Sequence, residues 1–412
     1  MPAAEAGEDR SADARMPDPS SLKILCLTTS FPSSARDPAG FFVYQLAEAL
    51  RHQGADLTVV TPATDEAPTS WPEGLPVQRF AYAPKPWQVL AQQPGGIPVA
   101  LRRDRKTALL LPSFVLSLAG QTLLKARRAD VLLANWAICG ALAGGLGPLH
   151  GRPVITVLRG SDVQAGERES AVDRVLLAAA VRTSAAVVAV GEDLLDEVRK
   201  KVRHPEKVHH IANGIHQEFF KVEPLQPGSV LNLFFAGFLI PRKGVDVLLT
   251  AAARLRNEPL HITLAGEGPL EDALRRRAED LGLGRRITFA GIVPPGRAMA
   301  EAMAQAHCLV LPSHHEGRPN VALEAMAAGR PVIGSDIHGI RELVERSGAG
   351  VCFPDGDSEA LAEAIRRLWQ NPELLAAMGR KGRAWIEGQG LTWENTARRY
   401  LGLMAEAVGR RA

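Results

Sequence analysis

Between Pro312 and Gly329 the chain reads PSHHEGRPNVALEAMAAG, with two glutamates, Glu316 and Glu324, eight positions apart. Gly and Pro mark the first part as a loop, and the run from about Asn320 reads as a helix. Glu316 then sits in the loop after a strand at 307–311, with Glu324 inside the helix. Both carboxylates can face one pocket at different depths, and the helix start turns free N–H groups toward it. Carboxylates hold sugar hydroxyls, and free amides hold phosphate. Spacing alone equally describes two solvated charges. Upstream, Ala236–Gly244 (AGFLIPRKG) ends a strand and delivers Arg242 and Lys243 into a loop. At the carboxyl edge of a parallel sheet, such a pair neutralises a diphosphate, Arg as a planar fork and Lys as a point charge. On an ordinary surface loop it does nothing.

Other motifs point elsewhere with less force. Gly266-x-Gly268 follows a strand, but Pro269 occupies the turn and the third glycine of a dinucleotide fingerprint is missing. Asp355-Gly356-Asp357 has the form of a metal-binding DxD, yet it directly precedes SEALAEAI, where Asp357 or Ser358 reads as a helix N-cap. His314 and His315 are adjacent, diverge in most backbones, and have no third ligand in register.

The elements that must position these residues alternate: short apolar runs, then longer helical stretches, the pattern of βαβ units. Strands are expected at 22–28, 56–61, 131–134, 153–158, 185–190 and 208–211, and again at 231–236, 260–265, 286–289, 307–311, 331–334 and 350–353. A helix at 40–53 places Phe42, Leu46, Ala49 and Leu50 on one face. Periodicity is lost at Lys221–Ser229, which marks a linker. The expected class is α/β: a tail at 1–20, Rossmann-like domains at 21–222 and 223–390 with a ligand cleft between them, and a terminal helix in 391–412 able to pack on either.

Composition agrees with this reading. The 412 residues suit two or three domains, 46% are hydrophobic, and the net charge of +3 argues against nucleic-acid binding. Cys26, Cys139, Cys308 and Cys352 show no ligand or disulfide spacing and read as buried thiols in a reducing cytosol. Residues 1–20 lack the form of a secretory signal. Thr107–Leu124 is an uncharged run of 18 residues, with seven basic residues against the single acid Asp104 across 102–128. It admits three readings: a buried helix, a helix resting on an anionic membrane surface, or a bilayer span at the lower length limit.

Taken together, these residues resemble the family 4 retaining glycosyltransferases of the GT-B fold. The likeness rests on Gly237 with Lys243-Gly244, the Gly266-Glu267-Gly268-Pro269 turn, and Glu316-Gly317 through Glu324-Ala325-Met326 to Gly329 and Pro331-Val332-Ile333. LKILCLTTSFP, Gly160-Ser161-Asp162 and Asn213-Gly214 extend it to roughly residues 22–410. The resemblance implies that Glu316 touches the donor sugar, Glu324 the nucleotide ribose, and Arg242 and Lys243 the diphosphate. It also implies phosphate or sugar contacts from the Asn320 and Val321 amides, backbone approach to the β-phosphate at Gly40, and a border for the base at Gly291 to Val293. Gly237, Gly317 and Arg159 complete the expected donor site. Three positions depart from the family pattern: Phe238 stands where Arg is frequent, Arg159 where His is common, and His338 where a second glycine commonly precedes Gly339.

The expected reaction is transfer of a hexosyl group from a nucleotide diphosphate sugar to an acceptor hydroxyl. Fixed charges replace a metal ion, and each preorganised donor is worth roughly 3 kcal/mol of barrier. No cofactor or metal is expected. The expected acceptor is a saccharide or lipid-linked molecule in envelope, exopolysaccharide or glycolipid assembly, met at Tyr82 to Arg128. The protein is expected in the cytoplasm, with peripheral contact to the anionic inner face of the membrane. The competing readings are a nucleotide-sugar binder without transfer activity, supported by Phe238 and Arg159, and a nucleotide-sugar epimerase.

Overall fold

Residues 21–64, 71–91, 97, 100, 101, 104–160, 171–223, 228–316 and 319–410 are described by the structure, a computed structural model. The expected tail at 1–20, Gly95-Gly96, Arg102, Arg103, Ser161, Asp162, residues 224–227 of the linker, and Gly317 lie outside the described residues.

Seven strands form the first sheet: β1 (Lys23–Leu27), β2 (Asp56–Pro62), β3 (Val77–Phe80), β4 (Val131–Asn135), β5 (Val154–Leu158), β6 (Ala186–Ala189) and β7 (Val208–His210). Their order is β3-β2-β1-β4-β5-β6-β7, and all the pairings are parallel. The second sheet holds β8 (Leu231–Ala236), β9 (Leu260–Ala265), β10 (Ile287–Gly291), β11 (Cys308–Leu311), β12 (Val332–Ser335) and β13 (Gly350–Phe353) in the order β10-β9-β8-β11-β12-β13. Strand order reverses between β1 and β4 and again between β8 and β11, so each sheet has a switch point where a crevice opens.

Both faces of each sheet are covered. Ile24 and Cys26 of β1 enter one core cluster while Leu25 and Leu27 enter another, and Phe235 and Phe234 of β8 divide in the same way. Burial on two sides explains why β4, β5 and β6 are apolar apart from Asn135 and Thr156, with every residue buried. β3 is the strand that the sequence reading passed over. Its VQRF alternates, and three of its four residues keep part of their surface at the sheet edge. In the Phe41–His52 helix the fully buried face is Val43, Leu46, Ala47 and Leu50, whereas Phe42 and Ala49 pack at its border.

The last helix, Trp393–Gly409, lies on the first sheet: Ala397, Tyr400, Leu401 and Met404 share a cluster with Val43 and Leu46 of the Phe41–His52 helix. The chain returns through a close backbone contact at Gly214, where an added Cβ would lie 2.2 Å from Trp393 N. Ile215 N donates to Leu391 O at 3.0 Å, and Thr396 Oγ1 donates to Ala212 O at 3.0 Å. Three cysteines are buried and Cys352 is half-buried, and none of the four is in a disulfide.

Candidate functional site

In the second domain the site is made by loops that leave neighbouring strands at their carboxyl ends. After β8 the chain turns through Gly237, makes one 3-10 turn at Pro241–Lys243, and enters the Val245–Arg254 helix through Gly244. Gly244 has φ 58°, and a Cβ there would lie 2.0 Å from Pro312 O in the loop after β11. Alongside, His314 N donates to Arg242 O at 2.9 Å. The two loops are therefore joined by backbone, and this fixes where their side chains meet. The Lys243 side chain passes beside Gly237 and its Nζ donates to Glu316 Oε1, which also accepts from Ser313 Oγ at 3.0 Å. Lys243 is 15% and Glu316 10% exposed, so the pair is shielded rather than solvated. Arg242 is exposed on the same turn.

The turns after β9 and β10 stack against this one. A Cβ on Gly266 would fall 1.9 Å from Gly237 O, and one on Gly268 2.4 Å from Leu239 O. Gly266 N donates to Gly291 O at 2.7 Å. Val293, the expected border of the base, is packed at the margin of the core, while its neighbour Ile292 is 43% exposed. Phe238 is also 43% exposed. The carboxyl edge therefore presents apolar surface where the family pattern has a cation.

The Asn320–Ala327 helix begins at the expected residue, with Pro319 as N-cap and no side-chain cap. Among the described residues the amides of Asn320 and Val321 have no acceptor, as the first turn of a helix requires. Glu324 follows on the second turn. Its residue keeps part of its surface accessible, but the carboxyl is packed closely enough that burial pushes its pKa from 4.5 up to about 8. No cation or donor among the described residues faces it. Near neutral pH it is therefore mostly protonated and can donate a hydrogen bond as well as accept one.

The first-domain cluster has another construction. Arg159, just beyond β5, reaches Asn213 Oδ1 at 2.7 Å through Nη1 and Asn135 Oδ1 at 2.8 Å through Nη2, and its guanidinium stands 4.5 Å from the Phe42 ring centroid. At this position, where His is common in the family pattern, a permanent cation is held by two amides and a ring. Gly40 caps the Phe41–His52 helix with φ 67°, and a Cβ would lie 2.3 Å from Ser30 O. Its lack of a side chain is thus already required by the chain's own turn. Among the described residues no hydrogen bond or ion pair joins the Arg159 cluster to the Lys243–Glu316 cluster.

The two domains do touch elsewhere. His338 Nε2 lies 3.3 Å from Asp193 Oδ1, and Arg346 Nη1 lies 2.7 Å from Glu192 Oε2. His338, which stands where the family commonly has a glycine, starts a helix after an extended Ile337. The sequence reading carried Asn213 only as part of the family likeness, without a role, and missed Ser313, Asn135 and these bridges, which no local spacing signals. Of the acidic DGD pair, Asp355 Oδ1 lies 2.7 Å from His314 Nδ1, and Asp357 caps the Glu359 and Ala360 amides at 2.9 and 3.0 Å. A concavity of about 320 Å³ lined by Arg152, Lys207, His209 and Arg410 opens at the opposite, amino-terminal edge of the first sheet, away from this chemistry.

Comparisons with known proteins bear on the family and the fold. Residues 39–214 match the family described as Glycosyl transferase 4-like domain, and residues 216–385 match Glycosyl transferases group 1. The chain is 29% identical over 212 residues to alpha-D-kanosaminyltransferase of Streptomyces kanamyceticus, covering 48% of this chain and 55% of that one. It is 33% identical over 168 residues to the GDP-mannose-dependent alpha-(1-6)-phosphatidylinositol monomannoside mannosyltransferase of Mycobacterium tuberculosis, covering 39% and 43%. The chain thus spans about half the length of these curated relatives. The crystal structure of Anabaena HepE in complex with UDP superposes with a TM-score of 0.71 at 20% identity, over 92% of this chain and 98% of that one, and so shares its fold.

Proposed function

Because the chain belongs to the family 4 type of glycosyltransferases with the GT-B fold, we propose that it moves a hexosyl group from a nucleoside diphosphate sugar to an acceptor hydroxyl, with retention and without a metal ion. The observation that carries the reading is the Lys243–Glu316–Ser313 cluster at the carboxyl ends of β8 and β11, followed by the uncapped start of the Asn320–Ala327 helix. When the bond from the anomeric carbon to the phosphate oxygen breaks, its electron pair leaves with the diphosphate and the ring becomes cationic. Lys243, Arg242 and the Asn320 and Val321 amides stabilise the leaving charge, and Glu316 holds the sugar. The acceptor oxygen attacks from the departing side, its proton passing to the leaving phosphate, so no protein nucleophile is needed. Glu324 takes the ribose, to which a protonated carboxyl can both donate and accept.

The acceptor in this proposal is a saccharide or lipid hydroxyl presented to the first domain, in envelope or exopolysaccharide assembly, and the reaction takes place in the cytoplasm. The HepE structure with UDP and the GDP-mannose dependence of the mycobacterial relative support a diphosphate donor without choosing the base. A thermal-shift series with UDP, GDP and ADP is expected to show one strong stabiliser, lost in Lys243→Ala. Mass analysis of acceptor mixtures should then find a glycosylated product that forms equally in EDTA. Product that needs added Mg²⁺ or Mn²⁺ overturns the metal-free mechanism. Absence of any shift overturns the donor assignment. The exposed Phe238 favours a second reading, binding without transfer, which the same product assay separates.

A further inference from the structure

The uncharged run at Thr107–Leu124 is mostly apolar and is buried on one face only. Its helix, Leu111–Ala126, turns Phe114, Leu118, Thr122 and Ala126 into the first domain, where Phe114 meets Phe80 and Tyr82 at centroid distances of 5.7 and 5.2 Å. The outward row is also apolar: Leu109 is 83%, Leu116 72% and Leu124 70% exposed. Within Lys106–Ala126 a stretch of 18 residues has a mean hydropathy of 1.6, yet only 22% of that stretch is buried. A surface helix of a globular domain carries polar residues on its outer face, and a helix apolar all round is normally enclosed. Single exposed leucines are ordinary; a row of them running roughly 20 Å along the 3-10 turns of Arg105–Leu110 and the helix they lead into is not. Leu149, 71% exposed on the adjoining Gly147–His150 turn, lengthens the patch.

Both ends of the row are cationic. Lys106 is exposed at its start, beside Arg105 and the exposed acid Asp104, and Lys125, Arg127 and Arg128 stand at its end beside Asp130, so each end keeps a net positive charge. That charge pattern selects the occupant. A second copy of the chain, paired on this helix in either direction, would set cations against cations at both ends. A span of the bilayer would draw Phe114 and Leu118, 0% and 1% exposed, out of the core. An anionic lipid surface satisfies the leucines and the cations together while the inward face stays where it is.

We propose that this helix lies flat on an anionic membrane, with Leu109, Leu116 and Leu124 in the acyl boundary and the flanking Lys and Arg side chains on the headgroups. The helix ends where β4 begins, so its start lies toward the carboxyl edge that carries Asn135 and Arg159. Docking therefore brings the membrane surface toward the carboxyl edge of the first sheet. The proposal goes beyond the transfer reading and does not need it.

The test is cosedimentation of the full-length protein with vesicles of phosphatidylcholine alone or mixed with phosphatidylglycerol. The wild type is expected to pellet with the mixed vesicles and to be released by raised salt. The variant Leu109→Glu/Leu116→Glu/Leu124→Glu is expected to bind roughly ten-fold less or weaker still, with unchanged melting and unchanged nucleotide-induced thermal shift. A wild type that stays in the supernatant, binds both vesicle types equally, or binds no better than the variant overturns the proposal. So does a wild-type dimer in analytical ultracentrifugation that the triple variant dissociates. Failure of the donor reading would appear separately, as loss of the nucleotide shift without vesicles.

Discussion

The two domains share an architecture but build their functional edges by different means. In the second, the work is done by backbone: Gly244 against Pro312 O, Gly266 against Gly237 O and Gly268 against Leu239 O lock three turns together, and charged side chains grow from that platform. In the first, side chains do it: Arg159 spans from Asn135 to Asn213 over Phe42. A site locked by backbone tolerates little change in geometry and presents one chemistry. One assembled from side chains on separate loops can be re-formed by substitution.

If the comparison holds, the heaviest loss comes from the charge seated on the locked platform. Lys243→Ala should lower sugar transfer by roughly 10²–10³-fold, the scale of one preorganised donor to a developing anion. Transfer within about three-fold of the wild type would remove Lys243 from the chemistry. Next comes the platform itself. Gly244→Ala needs a left-handed residue with a Cβ 2.0 Å from Pro312 O, so the two loops must part. Donor affinity, read by titration, is expected to drop about ten-fold although no side chain that meets the donor is altered. An unchanged Kd would mean that the loops are not held by this contact.

Arg159→Ala probes the other construction. It leaves the Asn135 and Asn213 carbonyl oxygens without the guanidinium that they accept from, and about 1–3 kcal/mol of stability should go with it. Nucleotide affinity should change far less than in Lys243→Ala. A loss of nucleotide binding equal to that of Lys243→Ala would make the two domains joint holders of the diphosphate and erase the contrast.

The same division explains what could be read from sequence. β8, β9 and β13 fall on the expected residues because apolar runs flanked by Gly or Pro leave little choice of boundary. The glycine turns and the start of the Asn320–Ala327 helix were legible for a related reason: positive φ and missing N–H partners impose residue types locally. β3 was not legible, since an edge strand need not be apolar. The partners of Arg159 lie 24 and 54 positions away, and only folding sets them side by side. The isolation of Glu324 is likewise a matter of packing. So is the outward direction of Leu109, Leu116 and Leu124, because the run shows apolarity but not which face remains uncovered.

The isolation of Glu324 has a smaller, pH-dependent signature. Burial raises the folded-state pKa from 4.5 to about 8, so over that interval the folded protein keeps a proton that the unfolded chain has released. Stability from this group is complete below the unfolded value and is lost progressively as pH rises toward the folded one. Without nucleotide, Glu324→Gln should therefore melt at temperatures that gain on the wild type between about pH 5 and pH 8. A difference that stays constant across the range would show that the carboxyl is already ionised and has a partner.

The weakest expected effect belongs to the contact between the domains. Arg346 reaches Glu192 across the interface and Glu342 on its own helix, with side chains of 45%, 49% and 37% exposure, so water and salt screen the group. An exposed pair of this kind is worth about 0.2–1 kcal/mol, and Arg346→Ala should shift the melting temperature by no more than a few degrees. Its position matters more than its strength. Glu192 and Asp193 begin one helix while His338 and Arg346 lie on the other, so this bridge ties the domains without touching either functional cluster. Removing it should leave nucleotide affinity unchanged and alter the acceptor KM, because a diphosphate held on the second domain alone does not depend on where the first one sits. An equal change in nucleotide affinity would mean that the two edges act as one site, and the contrast between them would then describe their construction rather than their roles.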